Sequence, residues 1–237
     1  MTSDLASGIV AFWLGPSLDG PEAALARLDW WYRGGESVDE EICTRFGELL
    51  PRACAGDFNE WDSTATGSLA LVILLDQFTR NLYRNTPDAY IGDLAAFRIV
   101  EKTIDRKLDH ELHPVERIWL YHPFHHAEDI QQQDRGLTLL HELEHTADKV
   151  WQPYIRRAIE GWTRHRNIVA RFGRFPHRNE VLGRIDTAGE REFLSKDGPE
   201  PPLLNVLCCL KNFDDGQIEP VNVQPIPRPV GWWNPTE

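Results

Sequence analysis

Sulfur is scarce in this chain of 237 residues, which holds a single Met and four Cys. Cys43 lies in a helical stretch, Cys54 near its end, and Cys208 and Cys209 are adjacent. None of these spacings suits a zinc site, so the Cys are expected to be reduced thiols of a cytosolic protein. No run approaches the roughly 20 apolar residues that a membrane helix needs. The opening MTSDLASGIVAFWLG lacks a basic start, and Gly8 and Gly15 break its short apolar run, so it does not read as a signal peptide. Positive charge is also in deficit, with Lys+Arg 25 against Asp+Glu 37 and a formal net charge of −12. A field of that sign repels phosphates, which argues against nucleic acid and anionic membranes as partners. Walker loop, dinucleotide fingerprint, serine elbow and CxxC are all missing, which makes nucleotide folds and serine hydrolases poor readings. The expectation is a soluble cytoplasmic protein.

What is present is helical periodicity. With 41% hydrophobic residues the chain can build one sizeable core. In 38–56, Val38, Ile42, Phe46, Leu49, Leu50 and Ala53 recur at spacings of three and four, with Ser37 and Glu40 as a capping box and Gly56 as the stop. The centre of the next stretch, 69-LALVILL-75, is apolar all round and predicts a helix buried on most faces. Further helices are predicted over 87–108, from Pro114 to Tyr121, over 124–150 with a division at Gly136, over 151–172 and from a Thr187–Glu190 cap through Leu194. No β pattern precedes residue 200, so 1–196 reads as one all-α domain of antiparallel helical hairpins. Residues 197–237 hold eight of the sixteen Pro and read as an extended Pro-rich arm, with Trp232 and Trp233 as docking groups.

Four stretches carry a resemblance: 12-FWLG-15 with the later WWY and GDFNEW, 69-LALVILLDQFTRNLYRNTPDAY-90, 121-YHPFHHAEDIQQQ-133, and 171-RFGRFPHRNEVLGR-184 through Phe193-Leu194. Together they resemble the bacterial family known as domain of unknown function 924, over about residues 5 to 195. The resemblance implies a right-handed superhelix like that of tetratricopeptide repeats and implies no reaction. Three positions depart from the family pattern: Thr79 replaces a common Pro, Asn85 a common Gly, and Ala127 a Ser.

The charged motifs mark candidate site residues. Asp76, Arg80 and Arg84 are spaced by four and share a helix face, with Gln77 and Asn81 on the adjacent stripe. They read either as pocket lining or as a salt-bridge ladder. In 171–184, Arg171, Arg174, Arg178 and Arg184 gather with His177 and Asn179 in an otherwise acidic chain, mostly on irregular backbone after Gly173. Arg carries a planar fork suited to carboxylate or phosphate. The alternatives are a brace, in which Arg174 and Arg178 pair with Asp76, Glu128 or Asp129, and an external partner surface. His126, Glu128 and Asp129 form a plausible acid–base or metal-binding set. The stretch 141-HELEH-145 matches the zincin pattern but also reads as the polar side of an amphipathic helix.

The leading expectation is therefore a polar pocket between helices that binds a small anionic molecule without a cofactor. Asp76, Arg80, Asn81, Arg84, Arg174, Arg178, Asn179 and Arg184 would hold the anion. His126, Glu128, Asp129 and His177 would move protons. The alternatives are a peptide-binding scaffold and a metal-dependent hydrolase. The C-terminal arm is expected to cover the pocket or to join a homodimer.

Overall fold

The computed structural model describes residues 2–196, and among them there is no strand. The expected C-terminal arm, and a dimer through it, lie outside the described residues. Twelve α-helices are described: α1 (Thr2–Leu14), α2 (Pro21–Arg33), α3 (Gly35–Phe46), α4 (Leu49–Ala55), α5 (Ala65–Val72), α6 (Thr79–Leu82), α7 (Asp93–Asp105), α8 (Pro114–Leu120), α9 (His122–His126), α10 (Ile130–Thr146), α11 (Gln152–Phe172) and α12 (Ala188–Lys196).

The apolar run is the centre of the molecule. Thr64 caps α5, its hydroxyl accepting from the Gly67 amide at 3.1 Å. Every residue from Leu69 to Leu75 is buried, as an apolar surface all round the helix requires. Helices α1, α7 and α8 pack around α5, while α10 and α11 lie against one another as a hairpin. Around this centre the Trp-rich composition becomes an edge-to-face aromatic core. Trp13 meets Trp119 at 5.1 Å and Phe78 at 5.7 Å, and the Trp31 indole donates to the Trp13 carbonyl at 2.8 Å. Such pairs add about 0.5–1.5 kcal/mol each beyond the area they bury.

The helix between α5 and α6 does not stay regular. Residues Ile73–Phe78 form a π-helical turn, one residue wider per turn than an α-helix. The Thr79 hydroxyl, in place of the common Pro, donates to the Leu75 carbonyl at 2.9 Å. Asn85, in place of the common Gly, has a φ of 59°, the left-handed region that Asn tolerates better than most residues.

Several boundaries differ from the expectation, each for a local reason. The helix over 38–56 is two helices, separated at Gly47 and Glu48, and Ser37 donates to the Gly34 carbonyl instead of capping with Glu40. Residues 87–90 form a 3-10 turn, and α7 starts only after Gly92. Helix α10 runs unbroken through Gly136. That glycine serves packing, since a Cβ there would lie 2.8 Å from the Phe124 Cβ and 3.1 Å from the Trp162 ring. The ends of α11 and α12 match the sequence. Gly173 closes α11 at φ 70°, and Thr187 and Glu190 exchange the two bonds of a capping box.

Candidate functional site

The π turn rotates Asp76 into the interior, where its side chain is fully buried. Two donors and one cation converge on its carboxylate. His126 on α9 places Nδ1 2.9 Å from both oxygens, Gln77 donates through Nε2, and Arg80 forms an ion pair at 3.1 Å while its Nη1 donates to the Asp76 carbonyl at 2.7 Å. A carboxylate accepts, so Nδ1 of His126 carries the proton and Nε2 is left with its lone pair. Arg80 also reaches α7, with a bidentate pair to Asp93 at 2.8 and 2.9 Å. Burial disfavours the Arg80 charge, yet Asp76 and Asp93 outweigh burial and raise its pKa. Burial likewise pushes the Asp93 carboxyl upward against the pull of Arg80.

Around His126 lies a cluster of imidazoles. The 122/125/126 spacing of α9 brings His122 and His125 within 5.6 and 5.3 Å of His126, ring to ring, and His165 from α11 stands 4.2 Å from His125. Two indoles wall them in: Trp119 stacks on His122 and Trp162 on His125. Nδ1 of His122 faces the Ile118 carbonyl at 2.8 Å and Nδ1 of His165 the Gly161 carbonyl at 3.2 Å, so both of these nitrogens are protonated. Burial is the main reason that the cluster is neutral. It lowers His122 and His165 to about 4 and holds His125 and His126 well below the ordinary range, with Arg80 and the neighbouring rings adding to the effect on His126. The Asp76 carboxylate favours an imidazolium at His126, but it shares its charge with Arg80 and does not reverse that balance.

Arg178 completes the site. It sits in the 3-10 turn Pro176–Arg178 and is only 7% exposed. Its Nη1 donates to the His126 carbonyl at 3.1 Å, while its buried Nε has no hydrogen-bond partner among the described residues. Its guanidinium carbon lies over the rings of Tyr90 at 4.8 Å and Phe175 at 4.5 Å, and Arg80 shares the Tyr90 ring at 5.5 Å. No carboxylate of a described residue pairs with Arg178 within 4.0 Å. Burial, then the charge of Arg80, lowers its pKa. His177 is half-buried against Phe175, and burial holds it well below the usual imidazole range.

The remaining sequence-predicted residues lie in the frame of this site. Arg84 and Asn81 both bind Asp39 on α3. Arg174 grips Glu190 on α12 at 2.6 and 2.8 Å, and Asn179 donates to Asp186 at 2.6 Å. Arg184 forks onto Glu128 at 2.6 and 3.0 Å, and Glu128 also accepts from the Phe175 amide at 2.8 Å. Burial raises the Glu128 pKa, but Arg184, Arg178 and the Phe175 amide lower it by more. Asp129 caps α10, accepting from the amides of Gln131 and Gln132. His141, Glu142 and His145 of the HELEH stretch are exposed on α10, as the amphipathic reading expects. Among the described residues no three His, Cys, Asp or Glu side chains converge as a metal-ligand set.

Sequence reasoning did not select Tyr90, Asp93 or Phe175 for the site, and it placed Gln77 only on the stripe beside Asp76. The helical spacing of His122 with His126 was available as a signal. Nothing local pointed to Asp93 as a partner of Arg80, because that pair joins two helices.

The model of a bacterial protein family of unknown function, DUF924, matches residues 9–198. A solved structure described as a protein of unknown function, ATU0120 from Agrobacterium tumefaciens, is similar over 83% of this chain and 99% of its own, with 35% identity and a TM-score of 0.69. Comparison with curated proteins found no match. No described helix is long and apolar enough to cross a membrane.

Proposed function

This chain belongs to DUF924, a bacterial family whose function is unknown, and from the geometry of its own residues we propose that it binds a small anion at Arg178 and transfers a proton through His126. The observation that carries this reading is the state of Arg178. A guanidinium 7% exposed, with an unpartnered Nε and no carboxylate within 4.0 Å among the described residues, leaves a buried donor unsatisfied. An unmet buried donor costs about 1–3 kcal/mol, more when it is charged. A buried donor of this kind calls for a partner, which a water, an ion or a ligand can supply.

The chemistry of the neighbours supports the second half. Asp76 fixes the tautomer of His126, so Nε2 presents a lone pair. Burial keeps the ring neutral at physiological pH, the form a general base requires. Arg80 balances the charge of Asp76 and shares the Tyr90 wall with Arg178. A π turn in the middle of a helix frequently marks a functional site, and this one supplies Asp76 and Gln77. In this reading Arg178, Arg80, His126 and His177 face the ligand. Arg84, Asn81, Arg174, Arg184, Asn179, Glu128 and Asp129 hold the backbone around it.

The test is calorimetric binding of acetate and of inorganic phosphate to the purified full chain and to its Arg178→Met and Arg178→Lys variants. The wild type is expected to bind at least one of the two. Arg178→Met should lose that binding while its circular dichroism is unchanged, and Arg178→Lys should retain a weakened form, because the charge stays and the fork goes. A wild type that binds neither anion, or a folded Arg178→Met that binds as well as wild type, sinks the proposal.

A further inference from the structure

We infer that the ligand is a planar monoanion, a carboxylate, and that the site discriminates against phosphate dianions. This rests on the anion reading of Arg178 and adds three observations to it.

The first is which edge of the guanidinium is available. Nη1 is committed to the His126 carbonyl, and Nε has no partner. Nη2 makes no hydrogen bond to a described residue. The unbonded edge is therefore the buried Nε with Nη2, whose two N–H groups point the same way and match the two oxygens of one carboxylate.

The second is the charge around it. Asp76 and Asp93 stand beside Arg80, and Glu128 is forked by Arg184. His122, His125, His126, His165 and His177 contribute no positive charge when neutral. Arg80 and Arg178 thus balance Asp76 and Asp93, and Arg184 balances Glu128, so the lining sums to zero. A monoanion brings this buried region to one negative charge and a dianion to two. Each unmatched charge in a low-dielectric interior is costly.

The third is shape. The guanidinium carbon of Arg178 lies over the faces of Tyr90 and Phe175. Ring faces carry negative potential. A carboxylate held in the plane of the fork has no oxygen outside that plane. A tetrahedral phosphate directs further charged oxygens out of it, toward the rings.

The experiment is a competition between acetate, benzoate and inorganic phosphate at pH 8, where phosphate is the dianion, on the full chain by isothermal titration, with Arg178→Met as the site control. At least one carboxylate should bind about tenfold or more tightly than phosphate, a difference of about 1.4 kcal/mol, and Arg178→Met should lose it. Phosphate binding as tightly as the tighter of the two carboxylates, with the same dependence on Arg178, overturns this inference and leaves the anion site standing. If none of the three binds, the anion site itself fails, and the inference with it. Carboxylate binding that survives Arg178→Met also overturns the inference, because the selective fork is then not Arg178.

Discussion

Nδ1 of His126 lies 2.9 Å from both carboxylate oxygens of Asp76, across fifty residues of sequence. The contact joins the π turn to α9 and fixes which nitrogen of the ring carries the proton. Asp76→Asn keeps the volume, removes the charge and offers only one good acceptor. Arg80 then depends on Asp93 alone. Disrupting a fully buried ionic cluster in this way is expected to cost about 3 kcal/mol, read from urea denaturation at pH 7. The proton on Nδ1 of His126 should lose its downfield resonance in the nuclear magnetic resonance spectrum. A variant as stable as wild type would show that Asp76 does not hold the cluster together.

The arginines of the 171–184 stretch divide into two roles that mutation can separate. Arg184 is ion-paired with Glu128, and Arg174 with Glu190, whereas Arg178 pairs with no carboxylate among the described residues. Arg184→Ala leaves Glu128 with one amide donor and is expected to cost about 2 kcal/mol, the value of bonds to a charged group. Its anion affinity should fall by less than in Arg178→Met, because Glu128 is left unbalanced in the lining while the fork of Arg178 remains. Arg178→Met should do the reverse, with a small change in stability and a large loss of binding. Identical behaviour of the two variants would show that both are braces.

Acid should destabilise the fold in a window set by the histidines. His122 and His165 have folded pKa values lowered to about 4 by burial, while an unfolded imidazole titrates near 6.5. A depressed folded value means that the unfolded chain binds protons first as pH falls. Their stabilising contribution is complete above about pH 6.5 and is lost as pH falls toward 4. Each such group adds a slope of about 1.4 kcal/mol per pH unit inside that window. Denaturation at pH 7, 6 and 5 should show the loss, and His165→Phe should flatten the slope by one group's worth between pH 6 and 5. An unchanged slope in that variant would mean that His165 titrates normally in the fold.

How far the sequence could be read depended on the distance over which each feature is decided. The stop of α11 at Gly173 and the Thr187–Glu190 box are settled within four residues, and both were legible. The burial of α5 followed from an apolar surface on every side. The π turn was not legible, because nothing in 73-ILLDQF-78 distinguishes a wide turn from an α-helical one. The partners of the arginines were legible only as a set of options. Pairing of Arg174 and Arg178 with Asp76, Glu128 or Asp129 was expected as one alternative. Instead Arg174 takes Glu190, Arg184 takes Glu128, and Asp129 serves as a helix cap. Ion pairs are chosen by tertiary geometry, so composition can locate the charge without assigning the partner. The helical spacing of His122, His125 and His126 placed three rings together, but the fourth, His165, comes from α11, and only the fold brings it there.

Gly92 ties the stability of the molecule to the shape of the site. Its φ of −89° is open to any residue, so no conformational demand requires glycine there. Space does: a Cβ on Gly92 would overlap the Leu75 carbonyl oxygen and lie 2.8 Å from its carbon. Leu75 is inside the π turn, immediately before Asp76, and a backbone atom cannot swing away as a side-chain tip can. Gly92→Ala is therefore expected to push the turn aside, costing about 1–3 kcal/mol as an overpacked contact. It should also weaken the Asp76–His126 contact, seen as a shifted or lost Nδ1 proton resonance. Gly173→Ala is the control. Its φ of 70° is strained for Ala, but nothing lies within 4 Å of the added Cβ. It should cost about 1–2 kcal/mol for the left-handed backbone and leave the Nδ1 resonance in place. If Gly92→Ala lowers stability yet leaves that resonance unmoved, the spacing at Gly92 supports the fold without setting the position of Asp76.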